Sequence, residues 1–142
     1  MYQKLLKKLQ ALPKTEHKLT SGFYVDDGGK CGCVLGKPLS QALRKKLAPL
    51  ALNDVGYEVF SLKDALFGWP SIQRTVQQTW QRLGLSPREL HQAQEQNDKL
   101  LRRSNAPEAK KKRYRLMVKW LKAQIAEAAR LDKRDKVEVK EQ

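Results

Sequence analysis

The pattern of this 142-residue chain predicts an α+β fold, mostly helical, with one small antiparallel β-hairpin packed against four to six helices. Three observations carry the prediction. From Ser71 onward, apolar residues recur at helical spacing between recognisable start and stop signals. Residues 23–35 read as two short strand-forming runs around the turn cluster Asp26-Asp27-Gly28-Gly29. No apolar run approaches the ~20 residues needed to cross a bilayer.

Taken in order, Leu5, Leu6, Leu9 and Leu12 with Lys4, Lys7 and Lys8 between them form an amphipathic first helix, which Pro13 stops. Residues 14–22 read as a loop. Phe23-Tyr24-Val25 and residues 31–35 are the two arms of the expected hairpin, and a lone hairpin is marginal in water, so it must lie on helices. Pro38 stands where a first helical position would be, Leu39, Leu43 and Leu47 mark one face, and Pro49 ends the segment. Asn53-Asp54-Val55-Gly56 is a turn, Tyr57-Glu58-Val59-Phe60 a candidate third strand, and Ser61 with Asp64 a helix cap before the Gly68-Trp69-Pro70 interruption. Ile72, Val76, Trp80 and Leu83 then share a stripe, with Gly84 at the C′ position. Ser86-Pro87-Arg88-Glu89 has the residues of a capping box with proline at N1, opening a helix that carries Leu90, Ala93 and Leu100 or Leu101. Ser104-Asn105-Ala106-Pro107 breaks the chain. The helix that follows aligns Tyr114, Met117, Leu121, Ile125 and Ala128. The reading is one compact domain over residues 1–131 and a charged, frayed tail over 132–142.

Charge says most about partners. Lys and Arg total 29 against 15 Asp and Glu, a net +14 with a pI near 10.0. The excess is concentrated in residues 99–122, with ten basic residues and one acidic residue, Glu108. On a helical wheel Lys111, Lys122, Arg115, Lys119 and Lys112 span about 0° to 100°, and the apolar stripe spans about 240° to 320°. Lys99, Arg102 and Arg103 lie just upstream. Five cations on one face repel one another, and a helix under no demand but solubility usually mixes its signs. A polyanion site is therefore expected at Lys111, Lys112, Arg115, Lys119 and Lys122, with Arg102 and Arg103 at its margins; a merely solvated face is the alternative. Trp120, at about 180° on the same wheel, is the only aromatic there with any access to a base, and Tyr114 points inward. The two helices between Ser71 and Leu101 also have the outline of a helix-turn-helix, with Gly84 in the turn.

Other chemistry finds little support. Cys31-Gly32-Cys33 offers one close ligand pair where structural zinc needs two, with only His17 and His91 as remote additions. Two reduced, buried thiols, neither bridged nor metal-bound, are the expectation. No nucleophile, metal or phosphate-loop motif surrounds either histidine, and Gly28-Gly29 lacks the spacing of a phosphate cradle, so no catalytic residue and no cofactor are assigned. The N-terminus lacks the apolar core of a signal peptide, so the expected location is the cytoplasm, with no membrane partner.

The segment Cys31-Gly32-Cys33-Val34-Leu35-Gly36-Lys37-Pro38-Leu39 resembles a group of short phage and prophage proteins with a Cys-Cys-Leu-Gly-Val-Leu core, which open with a short helix and carry an Asn-Asp-x-Gly element after the core. Either Asn53-Asp54-Val55-Gly56 or the stretch from Leu83 to Asn97-Asp98 corresponds to that element. The chain departs from the group at Gly32 and in its basic C-terminal helices. The resemblance implies a phage origin and a host-cell setting, and carries over no functional residue. Two functions follow as expectations. One is non-enzymatic binding of DNA, RNA or a host nucleoprotein through the basic helical surface. The other is a phage-encoded inhibitor or regulator that grips an acidic surface on a host protein, such as a defence or transcription component, with Phe67 and Trp69 as its hot spot.

Overall fold

Short apolar stripes and strong caps set the architecture. The computed structural model describes residues 1–21, 32–47 and 70–141, and among these the chain is helical. The helices are α1 (Gln3–Gln10), α2 (Gln41–Leu47), α3 (Pro70–Arg82), α4 (Pro87–Lys99) and α5 (Pro107–Glu141), with 3-10 turns at Lys14–Glu16 and Leu100–Arg103. Leu5 and Leu9 of α1 are fully buried, and α1 packs against α5, where Tyr114, Met117 and Leu121 meet it in one core. From α3, the turn after it and α4 the same core takes Val76, Trp80, Leu83, Leu90 and Ala93. The side chains of Leu47 and Ile72 lie outside the described residues.

The caps read from sequence at Gly84 and Ser86 form as expected. Gly84 adopts φ +70°, the left-handed C′ conformation that glycine enters without a Cβ penalty. Ser86 accepts from the Glu89 backbone N–H, and the Glu89 carboxylate accepts from the Ser86 N–H, closing the capping box. Helix α2 begins later than Pro38 suggests: Ser40 is its cap, its hydroxyl accepting from Leu43 N–H at 3.2 Å. Helix α5 continues to Glu141, where the sequence pattern expects a frayed tail after Asp132. Lys, Arg and Glu are good helix formers, and Asp132 with Lys136 and Arg134 with Glu138 set opposite charges four residues apart.

The expected β-hairpin is the main correction. Its first arm and turn, residues 22–31, lie outside the described residues. Residues 32–35 of its second arm form no strand, and no strand occurs among the described residues. Residues 32–39 instead form consecutive tight turns, with Gly36 N–H and Lys37 N–H both donating to Cys33 O and Leu39 N–H donating to Gly36 O. The physical reason lies in the composition: Gly32, Gly36 and Pro38 interrupt any ladder, and Pro38 has no N–H. All eight residues are buried. A half-buried strand would alternate between core and solvent, whereas this segment fills the space between helices as a plug. Its backbone is satisfied from outside. Asn97 Oδ1 accepts from Val34 N–H at 3.1 Å, Trp80 Nε1–H donates to Leu35 O at 2.9 Å, and Arg44 Nε–H donates to Leu39 O at 3.1 Å.

Two buried cations of this region converge on one carboxylate. Lys37 Nζ lies 3.4 Å and Arg44 Nη2 3.3 Å from Glu16 Oε1. Burial alone would raise the Glu16 pKa, but the Lys37 charge and the Arg44 and Lys37 hydrogen bonds outweigh it and hold the carboxyl below its ordinary value. The proposed third strand at Tyr57 to Phe60, and the turns and cap around it, lie outside the described residues.

Candidate nucleic-acid interface

Helix α5 divides its faces as the wheel requires. Tyr114, Met117 and Leu121 are buried, and Lys111, Lys112, Arg115, Lys119 and Lys122 are all exposed. Opposing charge on this face is slight: Glu108 reaches Lys111 at 3.8 Å, an exposed pair of little energetic weight. Trp120 belongs to the core side, half-buried against Tyr2 with ring centroids 5.3 Å apart at 57°. It offers no stacking platform.

Arg113, within the same basic run, turns inward. It is fully buried. Its Nη1–H donates to Leu19 O at 2.9 Å, and its Nη2 donates to Leu100 O at 3.1 Å and Ser104 O at 2.7 Å. Burial lowers the guanidinium pKa, opposed by the charge of Asp98. The two carbonyls on Nη2 bracket a backbone anomaly. Leu101, Arg102 and Arg103 adopt φ of 54°, 54° and 63°, three successive non-glycine residues in the left-handed region. Each costs about 1–2 kcal/mol in an L-residue. Arg113 clamps the ends of this left-handed turn, and the turn holds exposed Arg102 and Arg103 beside the start of α5. Sequence alone gave no sign of it, since any break before Pro107 reads the same.

A polar latch joins the turn to the N-terminal loop. Asn105 accepts from Ser21 N–H at 2.7 Å and donates to Ser21 O at 2.9 Å, Ser21 Oγ–H donates to Asp98 O, and Asn97 Nδ2–H donates to Thr20 O at 2.9 Å. Leu19 N–H donates to Lys110 O at 3.0 Å. Through these bonds residues 14–21 are seated along the first turns of α5.

That seating creates a cleft of about 540 Å³ between the loop and α5, lined by Lys14, Thr15, His17, Lys18, Lys111, Tyr114 and Arg115. Its floor is a stacked pair, His17 over Tyr114, with centroids 4.3 Å apart at 12°. His17 Nε2 is 2.8 Å from Leu12 O, so that nitrogen carries the proton. The Tyr114 hydroxyl donates to Leu9 O, and burial raises its pKa. Lys14, Lys18 and His17 thus line the cleft although they stand in a loop nearly a hundred residues before α5, a distance that hides the cleft in the sequence. A second basic groove of about 740 Å³ runs between α1 and α3, lined by Lys4, Lys7, Lys8 and Arg82 among others.

The helix-turn-helix outline at α3 and α4 has the right elements, but the outer face of α4 mixes its charges, with Glu95 exposed alongside Arg88 and Lys99. Phe67, Trp69 and Cys31 lie outside the described residues. Cys33 is a buried thiol. Among the described residues there is no group of three or more His, Cys, Asp or Glu that could hold a metal ion, and no helix long and apolar enough to cross a membrane. Fold and surface together define a helical domain whose longest helix carries a segregated cationic face. No family model, no curated protein and no solved structure matches the chain.

Proposed function

We propose that this protein binds nucleic acid without catalysing a reaction, through the exposed face of α5. One observation carries the reading. Five cations stand exposed on that face, where Glu108 is the one carboxylate paired with any of them among the described residues, and Lys14, Lys18, Arg102 and Arg103 extend the same surface on both sides. Such a surface neutralises phosphates and releases their counterions, giving affinity with little base preference. Lys111, Arg115, Lys119 and Lys122 make the principal contacts. Lys112, Arg102 and Arg103 lie at the margins.

The test replaces Lys111, Arg115, Lys119 and Lys122 together by Gln, a good helix former at positions opposite the buried stripe. Fluorescence anisotropy on labelled DNA and RNA at several salt concentrations should show weaker binding to every sequence. On duplex DNA the plot of log affinity against log salt should flatten by about three to four. A quadruple variant that binds as tightly as the parent, with the same salt slope, overturns the proposal. So does a parent protein with no measurable affinity for any nucleic acid.

A further inference from the structure

We infer that the cleft between residues 14–18 and α5 takes one unpaired nucleotide of a single strand, its base stacked on His17 and its phosphates on the surrounding cations. The inference rests on the reading of α5 above and adds a substrate class to it. Backbone-tracking cations alone do not distinguish duplex from single strand. An aromatic face set among them does, because bases in a duplex are already stacked on each other.

Four features of the cleft support this. Lys14 and Lys18 come from the loop and Lys111 and Arg115 from α5, so positive charge flanks the cavity from two sides, and among the described residues no acidic one lines it. The volume, about 540 Å³, falls within the roughly 300–1,000 Å³ typical of small-ligand sites. The floor is aromatic: Tyr114 is buried, leaving the half-buried His17 as the exposed member of the stack, with its second face turned away from Tyr114. The platform is also fixed in place. The bond from His17 to Leu12 O sets the ring orientation, and the contact between Leu19 N–H and Lys110 O ties the loop to α5. A ring already held in position loses little freedom when a base settles on it.

Lys111 and Arg115 also belong to the general phosphate-binding face, so the discriminating residue is His17. The experiment measures anisotropy of the full chain with a labelled single-stranded DNA and with the duplex of the same sequence, at one salt concentration. The parent should favour the single strand. His17→Ala should weaken single-strand binding by roughly 5- to 150-fold, the range for loss of one base–aromatic stack, and leave duplex binding within about twofold. Thermal melting of each variant keeps loss of the His17–Tyr114 contact separate from loss of binding, and His17→Phe, which restores a π-face, should recover most single-strand affinity. Equal affinity for single strand and duplex in the parent overturns the inference, as does a folded His17→Ala protein that binds the single strand like the parent. Either result leaves the α5 reading standing if the quadruple Gln variant still loses affinity. Failure of that reading would appear separately, as absence of binding to both forms.

Discussion

Replacing Arg113 by Met tests how the basic surface is held up from inside. Met matches the helix propensity of Arg and replaces its aliphatic stem, so the change removes the donors, the charge and the volume of the terminal guanidinium atoms. Three carbonyls lose their partner, but not equally. Leu19 is 0% exposed, so its carbonyl has no route to water and its loss costs about 1–3 kcal/mol. Leu100 is half-buried and Ser104 exposed, so their carbonyls regain water and each costs about 0.5–1 kcal/mol. Asp98, buried beside the guanidinium, loses the charge that faces it. Against these losses stands relief of the desolvated guanidinium, whose Nε has no hydrogen-bond partner among the described residues. The balance is a destabilisation of about 3 kcal/mol, a large fraction of the roughly 5–15 kcal/mol expected for a domain. In urea, with a slope of about 2 kcal/mol per molar, the unfolding midpoint should fall by about 1.5 M. Arg113→Lys should recover less than half of this, because one ammonium cannot span three divergent carbonyls. A Met variant whose midpoint stays within about 0.3 M of the parent would refute the clamp.

Two further outcomes follow from buried and strained groups. Burial, with the nearby Glu89 charge, raises the Tyr2 pKa to about 12, above the unfolded value of 10.0, so its neutral hydroxyl stabilises the fold below pH 10 and that contribution is lost as pH rises toward 12. Tyr2→Phe should cost about 1 kcal/mol at pH 7 by removing the 2.9 Å bond to Glu89 O, and should make the alkaline limb of a stability–pH curve shallower; an unchanged limb contradicts the assignment. Gly at Arg102 and Arg103 removes left-handed strain of about 1–2 kcal/mol per residue against about 0.4–1 kcal/mol of added unfolded-state entropy. Chemical denaturation should therefore show a stabilised double variant, while its salt slope on single strands falls by up to about 1.4; a destabilised variant argues that the turn is not strained.

What the sequence made legible follows from how local each signal is. The capping box at Ser86 and Glu89, the C′ glycine at Gly84 and the two faces of α5 depend on residues within a turn or two of one another, and each appears in the structure where the pattern puts it. The segment Cys33-Val34-Leu35 misled because a short apolar run is ambiguous between a strand and a buried plug. What decides it is the outside supply of hydrogen bonds, from Asn97 and Trp80, which are up to 63 residues away in sequence. The candidate cleft was half legible for the same reason. Lys111 and Arg115 declare themselves by helical phase, but Lys14, His17 and Lys18 join them through contacts distant in sequence, such as the Leu19–Lys110 bond, the Ser21–Asn105 latch and the His17–Tyr114 stack. Arg113 shows the limit of the wheel. At about 200°, between the two stripes, its phase does not say whether it serves ligand or fold.

The placement of the acidic residues strengthens the case that the cationic face is a device rather than a by-product of composition. A chain with 15 carboxylates could neutralise much of α5 by setting Asp or Glu three or four residues from each cation. Among the described residues the carboxylates N-terminal to α5 have other work. Glu16 holds Lys37 and Arg44, Glu89 closes the cap of α4, Asp98 sits buried beside Asn97 and Arg113, and Glu95 lies beside His91. On α5 the pattern changes at the end of the basic face. Between Glu108 and Glu127 there is no acidic residue, whereas beyond Lys122 the signs mix at once, with Glu127 paired to Arg130 through two bonds. One helix thus carries an unmixed segment beside the cleft and a mixed one away from it. A demand for solubility acts on every exposed turn alike and would not draw that boundary. A polyanion that meets only the first half of the helix would.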